Sequence, residues 1–213
     1  MELNDAMRST GTCRYYSDQH LSDEVLYEAF DAARFGPQGG NRQPVRYVVV
    51  RDQEKKQALS DLYQPMWRAY YDGIYSGDVR VGAIPKAVEA TDDFARNLAN
   101  HPVIIVVCAE LDGLHPTDHE LGRLSVVGGA SIYPVVQNMM LALRNQGVAT
   151  ALTTLLCHVE PEVKKLLDIP EGFLTAAHIV AGYPAKGFPK KLTRQPVEET
   201  VYADTFGAPM YSA

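Results

Sequence analysis

The chain has 213 residues, 46% of them hydrophobic and 22% charged, with 20 Lys and Arg against 26 Asp and Glu for a formal net charge of −6. That length suits one sizeable core and at most two domains, and the acidic balance argues against a general nucleic-acid surface, which needs a basic face. No apolar run approaches the roughly 20 residues that span a bilayer, and Glu2, Asn4 and Asp5 interrupt any signal-peptide pattern, while the scattered Cys13, Cys108 and Cys157 form no CxxC pair and point to a reducing, cytoplasmic compartment.

Residues 5–17 read as a short helix followed by an irregular arm. Arg8 and Arg14 flank Ser9, Thr10 and Thr12 there. A planar guanidinium fork near small hydroxyls suits a phosphate, and a solvated polar terminus uses the same residues. Ser22 before Asp23 and Glu24 is a helix N-cap, with Leu21 and Leu26 spaced for a hydrophobic staple. Val25, Leu26, Ala29, Phe30, Ala32 and Ala33 continue as an apolar stripe at helical spacing. The helix stops before Pro37, where Pro37-Gln38-Gly39-Gly40-Asn41-Arg42-Gln43-Pro44 forms a loop. Its glycines free the backbone for a tight turn or a close approach to a ligand. Asn41 and Gln43 each offer a donor and an acceptor. The loop reads either as an ordinary helix-to-strand connection or as a cradle for a flat, hydrogen-bonding heterocycle.

Arg46 to Val50 reads as a buried strand, and a second helix covers Gln53 to Leu62. Tyr63, Trp67, Tyr70, Tyr71 and Tyr75 then cluster near Gly73 and Gly77. Such aromatics suit a lid that stacks on a flat substrate, or a core or subunit contact. Ala83 to Asn100 reads as a helix with Pro85 near its start. Val103 to Ala109 is a continuous apolar run, the pattern of a central strand buried on both faces. His115 and His119 are four residues apart, but Pro116 lies between them and no third ligand has motif spacing, so a solvated loop is the better reading and no metal is expected.

Gly122 to Gln146 is the longest helical pattern, with Pro134 expected to kink or divide it. Gly128 and Gly129 permit close backbone packing, in a tight core or at a dimer seam. Val148 to Leu155 reads as a strand of small and β-branched residues, Glu160 to Leu167 as a helix with proline in its first turn, and Leu174 to Ala181 as a further strand ending at Gly182-Tyr183-Pro184. Lys186, Lys190, Lys191 and Arg194 make a basic cluster ahead of Pro196-Val197-Glu198.

Three of these stretches, in this order, resemble the nitroreductase family. The first is the Gly-Gly-Asn-x-Gln-Pro loop, in which Gln38 stands for the family's Ser and Val45 for its Trp. The second runs from Gln137-Asn138 to Leu152-Thr153-Thr154, and the third is Gly182-Tyr183-Pro184 with Arg194. The N-terminal element keeps Arg14 and places Thr12 on the family's Ser, whereas Thr10 and Gly11 fall on its first two arginines.

The resemblance implies a three-layer α+β fold with a central mixed sheet flanked by helices, in an intertwined homodimer. It implies a single domain over 1–213, with a variable lid at about 63–100 and a C-terminal arm at 194–213. FMN would lie at each subunit interface, held by Arg8, Thr12, Arg14, Pro37, Gln38, Gly39, Asn41, Gln43, Leu152, Thr153, Thr154 and Arg194, with Lys191 as a lesser phosphate contact. Thr153 or Thr154 would tune flavin N5, and Trp67, Tyr70 and Tyr71 would cover the substrate. The implied activity is ping-pong hydride transfer from NADH or NADPH through N5 to nitroaromatic, quinone or related acceptors, with no side chain acting as nucleophile. A reductive dehalogenase or oxygen-using enzyme of the same fold, or a flavin-binding protein of low turnover, is the alternative.

Overall fold

A computed structural model describes residues 1–80, 85–188 and 192–212, the side chains of 85–87 excepted. Helix α1 spans Leu3–Ser9, and α2 spans Asp23–Ala33 with Ser22 as its cap, the Ser22 side chain accepting from the Val25 N–H at 3.4 Å. Leu21 and Leu26 are both buried, as a staple requires. Strand β1 spans Val45–Val50, and α3 spans Gln53–Ser76. Helix α3 is far longer than the expected Gln53–Leu62, because it continues straight through Pro65. Burial of Tyr63 and Trp67 on either side of the proline outweighs its poor helix propensity. The helix ends at Gly77, whose φ of 87° is the left-handed geometry of a helix C-terminus.

Helix α4 spans Pro85–Arg96; the first residues of the helix expected from Ala83 lie outside the described residues. Strand β2, Val103–Glu110, is buried along nearly its whole length, as its apolar run predicts. The long helix expected from Gly122 is shorter: a 3-10 turn covers Val127–Ser131, and α5 runs only over Tyr133–Asn145, with Pro134 in its first turn. Proline there starts a helix instead of kinking one. Strand β3 is Ala149–Thr153, α6 is Glu160–Leu167 and β4 is Phe173–Gly182.

The strands form one sheet in the order β1-β2-β4-β3. Every pairing is antiparallel, where a mixed sheet was expected. β1 is an edge strand and is only partly buried, which corrects the expectation of a fully buried one. Side chains alternate across the sheet, so each face builds its own core. Val103, Ile105 and Val107 meet α2 and α5 on one face. Ile104, Val106 and Cys108 meet α3, α4 and α6 on the other. The result is three layers with β3 at the free edge beside the N-terminal arm. Among the described residues, no helix is long and apolar enough to cross a membrane.

Candidate functional site

The arm after α1 is fixed to the sheet by backbone. The Cys13 N–H donates to the Thr150 carbonyl on β3 at 3.0 Å, and the Tyr16 hydroxyl donates to the Cys13 carbonyl at 2.6 Å. Cys13 is thereby buried, and Thr12 and Arg14, on either side of it, line a cleft of about 260 Å³. The opposite wall is Tyr63, Trp67 and Tyr70 of α3 with Thr91 and Phe94 of α4. The floor is Ala151 to Leu155, where β3 ends. Residues separated by some 140 positions in the sequence, Thr12 and Arg14 at one end and Leu152 to Thr154 at the other, thus share one cavity.

Arg14 supplies the charge of this cleft. Its guanidinium is half-buried, and among the described residues no carboxylate pairs with it. Burial lowers its pKa, with neighbouring Tyr63, Tyr16 and Tyr15 opposing. An uncompensated cation in a partly desolvated cavity favours an anion. The Thr153 Oγ1 accepts from the Leu155 N–H at 3.3 Å and lies 3.3 Å from the Tyr63 hydroxyl. Thr154 is exposed at the rim, and its carbonyl accepts from the Cys157 N–H.

The aromatic wall is anchored at Trp67. Trp67 is 4% exposed, and its Nε1–H donates to Asp92 Oδ1 at 2.8 Å, with Arg96 paired to the same carboxylate at 3.1 Å. Tyr70 leans on Trp67 with ring centroids 5.8 Å apart and lines the cleft. Tyr71 instead packs between Trp67 and Tyr75 and does not line it. Thr91 and Phe94 were not anticipated from sequence; their only signal is the amphipathic pattern of α4.

The glycine loop lies elsewhere. Gly40, Asn41 and Gln43 have φ of 60°, 51° and 52°, all left-handed. Such values cost a non-glycine residue conformational energy and hold only where the surroundings fix them. The Gly39 N–H donates to Ser131 Oγ at 3.0 Å. Pro37, Gln38, Gly39, Gly40 and Arg42 line a second cavity of about 460 Å³ with His115, Val127, Gly128, Ala130 and Ser131. Asn41 and Gln43 are exposed beside it. Thr154 from the first cleft and Gly128 from the second both line a third, largely apolar cavity with Tyr133 and Cys157. A single chain therefore does not bring the loop and the Arg14 cleft together. Arg8 is exposed on α1, and Arg194 is exposed with its Nη1 on the Thr193 carbonyl; neither lines the cleft. Lys191 lies outside the described residues. The His119 Nδ1 bonds the Pro116 carbonyl at 2.8 Å, and among the described residues no three His, Cys, Asp or Glu gather as a metal site.

A model of the nitroreductase family matches residues 7–183. The chain belongs to the nitroreductase family. A protein of Archaeoglobus fulgidus, named provisionally as an NADH dehydrogenase/NAD(P)H nitroreductase, is 26% identical over 174 residues, covering 80% of this chain and 79% of its own. An iodotyrosine deiodinase of Nematostella vectensis is 24% identical over 203 residues, covering 93% of this chain and 73% of its own. Among solved structures, an oxidized iodotyrosine deiodinase bound to FMN and 3-iodo-L-tyrosine superposes with a TM-score of 0.71 at 21% identity, covering 96% of this chain and all of the other. The nitroreductase fold is thus the fold of this chain, an α+β arrangement of one antiparallel sheet between helical layers.

Proposed function

We propose that this nitroreductase-family chain is an FMN-dependent oxidoreductase that works as a homodimer. The observation that carries the reading is Arg14, a half-buried guanidinium with no paired carboxylate among the described residues, in a cleft shared with Thr12 and Leu152 to Thr154. These residues fit FMN, which presents an anionic phosphate, a hydroxylated chain and a flat heterocycle. Arg14 offers charge to the phosphate and Thr12 a hydroxyl. Trp67 and Tyr70 present ring faces and exclude water. Leu152, Thr153 and Thr154 border the heterocycle, with either threonine as the tuning group at N5. Bound FMN supplies the acceptance and donation of hydride. The chain's own residues bind, orient and desolvate, and none is required as a nucleophile.

The second half of the site comes from a partner copy in this reading. Pro37, Gln38 and Gly39 face a separate cavity in one chain and Asn41 and Gln43 are exposed beside it, so a two-fold dimer in which each loop reaches the partner's cleft makes both sites whole. Exposed Leu121, Leu124 and Val126, and Phe206 in the tail, are apolar surface for such an interface. The arm at 194–213 would cross the partner and bring Arg194 toward a phosphate, with Arg8 approaching from α1. The part of α3 from Tyr63 on and helix α4, within about 63–100, would cover the substrate. NADH or NADPH is the proposed donor, a nitroaromatic or quinone the acceptor, and the cytoplasm the compartment.

Anaerobic NADH or NADPH is expected to bleach the flavin absorption of the purified protein, and a nitroaromatic or quinone to restore it. Failure of both nucleotides to bleach bound flavin contradicts the donor. A second reading, reductive dehalogenation, is favoured by the similarity to the deiodinases; release of halide from a halotyrosine by the reduced protein would select it. Bleaching without turnover of any acceptor would select a flavin-binding role.

A further inference from the structure

Tyr63 has no place in the family motifs that point to the cleft, yet it is 2% exposed and its hydroxyl lies 3.3 Å from Thr153 Oγ1. A threonine hydroxyl has two acceptor positions and one proton to donate. One acceptor position is filled by the Leu155 N–H at 3.3 Å. The bond can run either way, from Tyr63 to Thr153 or from Thr153 to Tyr63, and both side chains line the cleft. With Tyr63 as donor, both acceptor positions of Thr153 are filled, and its proton turns to the cleft that Thr153 lines.

We propose that Tyr63 is a positioning residue: it fixes the Thr153 hydroxyl as a hydrogen-bond donor into the cleft. The inference rests on the flavin reading above and goes beyond it by giving the threonine one role in place of two. Burial raises the Tyr63 pKa, so the phenol keeps its proton through neutral pH, with the bond to Thr153 and the charge of Arg14 drawing the other way. The aromatic wall and the hydrogen-bonding floor of the cleft are thereby joined through one phenol on α3. A donor aimed at flavin N5 meets an acceptor in the oxidised form and an N–H in the reduced form, so it favours the oxidised form. Tyr63→Phe frees an acceptor position, lets the Thr153 hydroxyl rotate, and removes that bias.

The test is the reduction potential of bound flavin in the wild type, Tyr63→Phe, Thr153→Val, the double variant and Thr153→Ser. Tyr63→Phe is expected to move the two-electron equilibrium about tenfold toward the reduced form, about 30 mV. Thr153→Val is expected to move it at least as far, the double variant no further than Thr153→Val, and Thr153→Ser to keep the wild-type value. An unshifted Tyr63→Phe, a Tyr63→Phe shift that persists in the Thr153→Val background, or a Thr153→Ser shift as large as that of Thr153→Val overturns the proposal. A wild-type protein that takes up no FMN is recognised at loading; it overturns the flavin reading, and this proposal falls with it.

Discussion

His178 lies on β4 directly across from Thr153 on β3, 1% exposed, with neither ring nitrogen hydrogen-bonded among the described residues. Burial pushes its pKa down to about 4, from 6.5 for a free imidazole. The folded-state value is the lower one, so the unfolded chain binds more protons between these limits. The folding stability is therefore intact above about pH 6.5 and erodes as the pH falls toward 4, by on the order of 3 kcal/mol from this group. His178→Leu removes polar atoms that have no partner, so it is expected to be at least as stable as the wild type at neutral pH and to lose less on acidification. Urea denaturation at neutral and mildly acidic pH checks this; identical acid losses in both proteins would rule out the assignment to His178. Ser22 was legible as a cap because a cap is a local pattern. The isolation of His178 was not, because it depends on strand register and on which helix covers that face.

The turn that follows α2 packs closely on α5 at Gly36, where a Cβ would lie 2.7 Å from the Val135 Cα. Backbone cannot yield as a flexible side chain can. Gly36→Ala is expected to cost about 1–3 kcal/mol as an overpacking change and to lower the melting temperature by several degrees. Calorimetry reads this directly; an unchanged transition would mean that the turn moves off α5 at no cost. Elements with one dominant signal, such as the apolar run of β2, were legible in the sequence. Elements where two signals compete were not. The helix expected over Gln53 to Leu62 continues past Pro65, because the buried Tyr63 and Trp67 hold it on the sheet. Residues 122–132 look helical in their apolar spacing, yet Leu124 and Val126 are 83% and 67% exposed and α5 waits for Pro134. Asp118 organises that segment instead, accepting from Ser125, Val126 and Arg123; these bonds, Ser125 first, hold its carboxyl down at about 2.

At the scale of the molecule, the sheet carries Arg14, Thr12 and Leu152 to Thr154 to one cleft, while the glycine loop opens on another cavity beside Ser131. The sequence shows both groups of residues but carries no distance between them, and only the fold reveals that one chain keeps them apart. The division gives the dimer its proposed purpose. The central claim is that FMN binds in the cleft that Arg14 charges, and the molecule contains its own reporter there: Trp67 is the sole tryptophan and lines that cleft. The decisive measurement is a fluorescence titration of flavin-free protein with FMN, for the wild type and Arg14→Ala. The account predicts saturable quenching of Trp67 at one FMN per chain, with the Arg14→Ala midpoint at least about tenfold higher, as loss of a charge-assisted contact requires. Absence of quenching, or an equal midpoint in the two proteins, would contradict it.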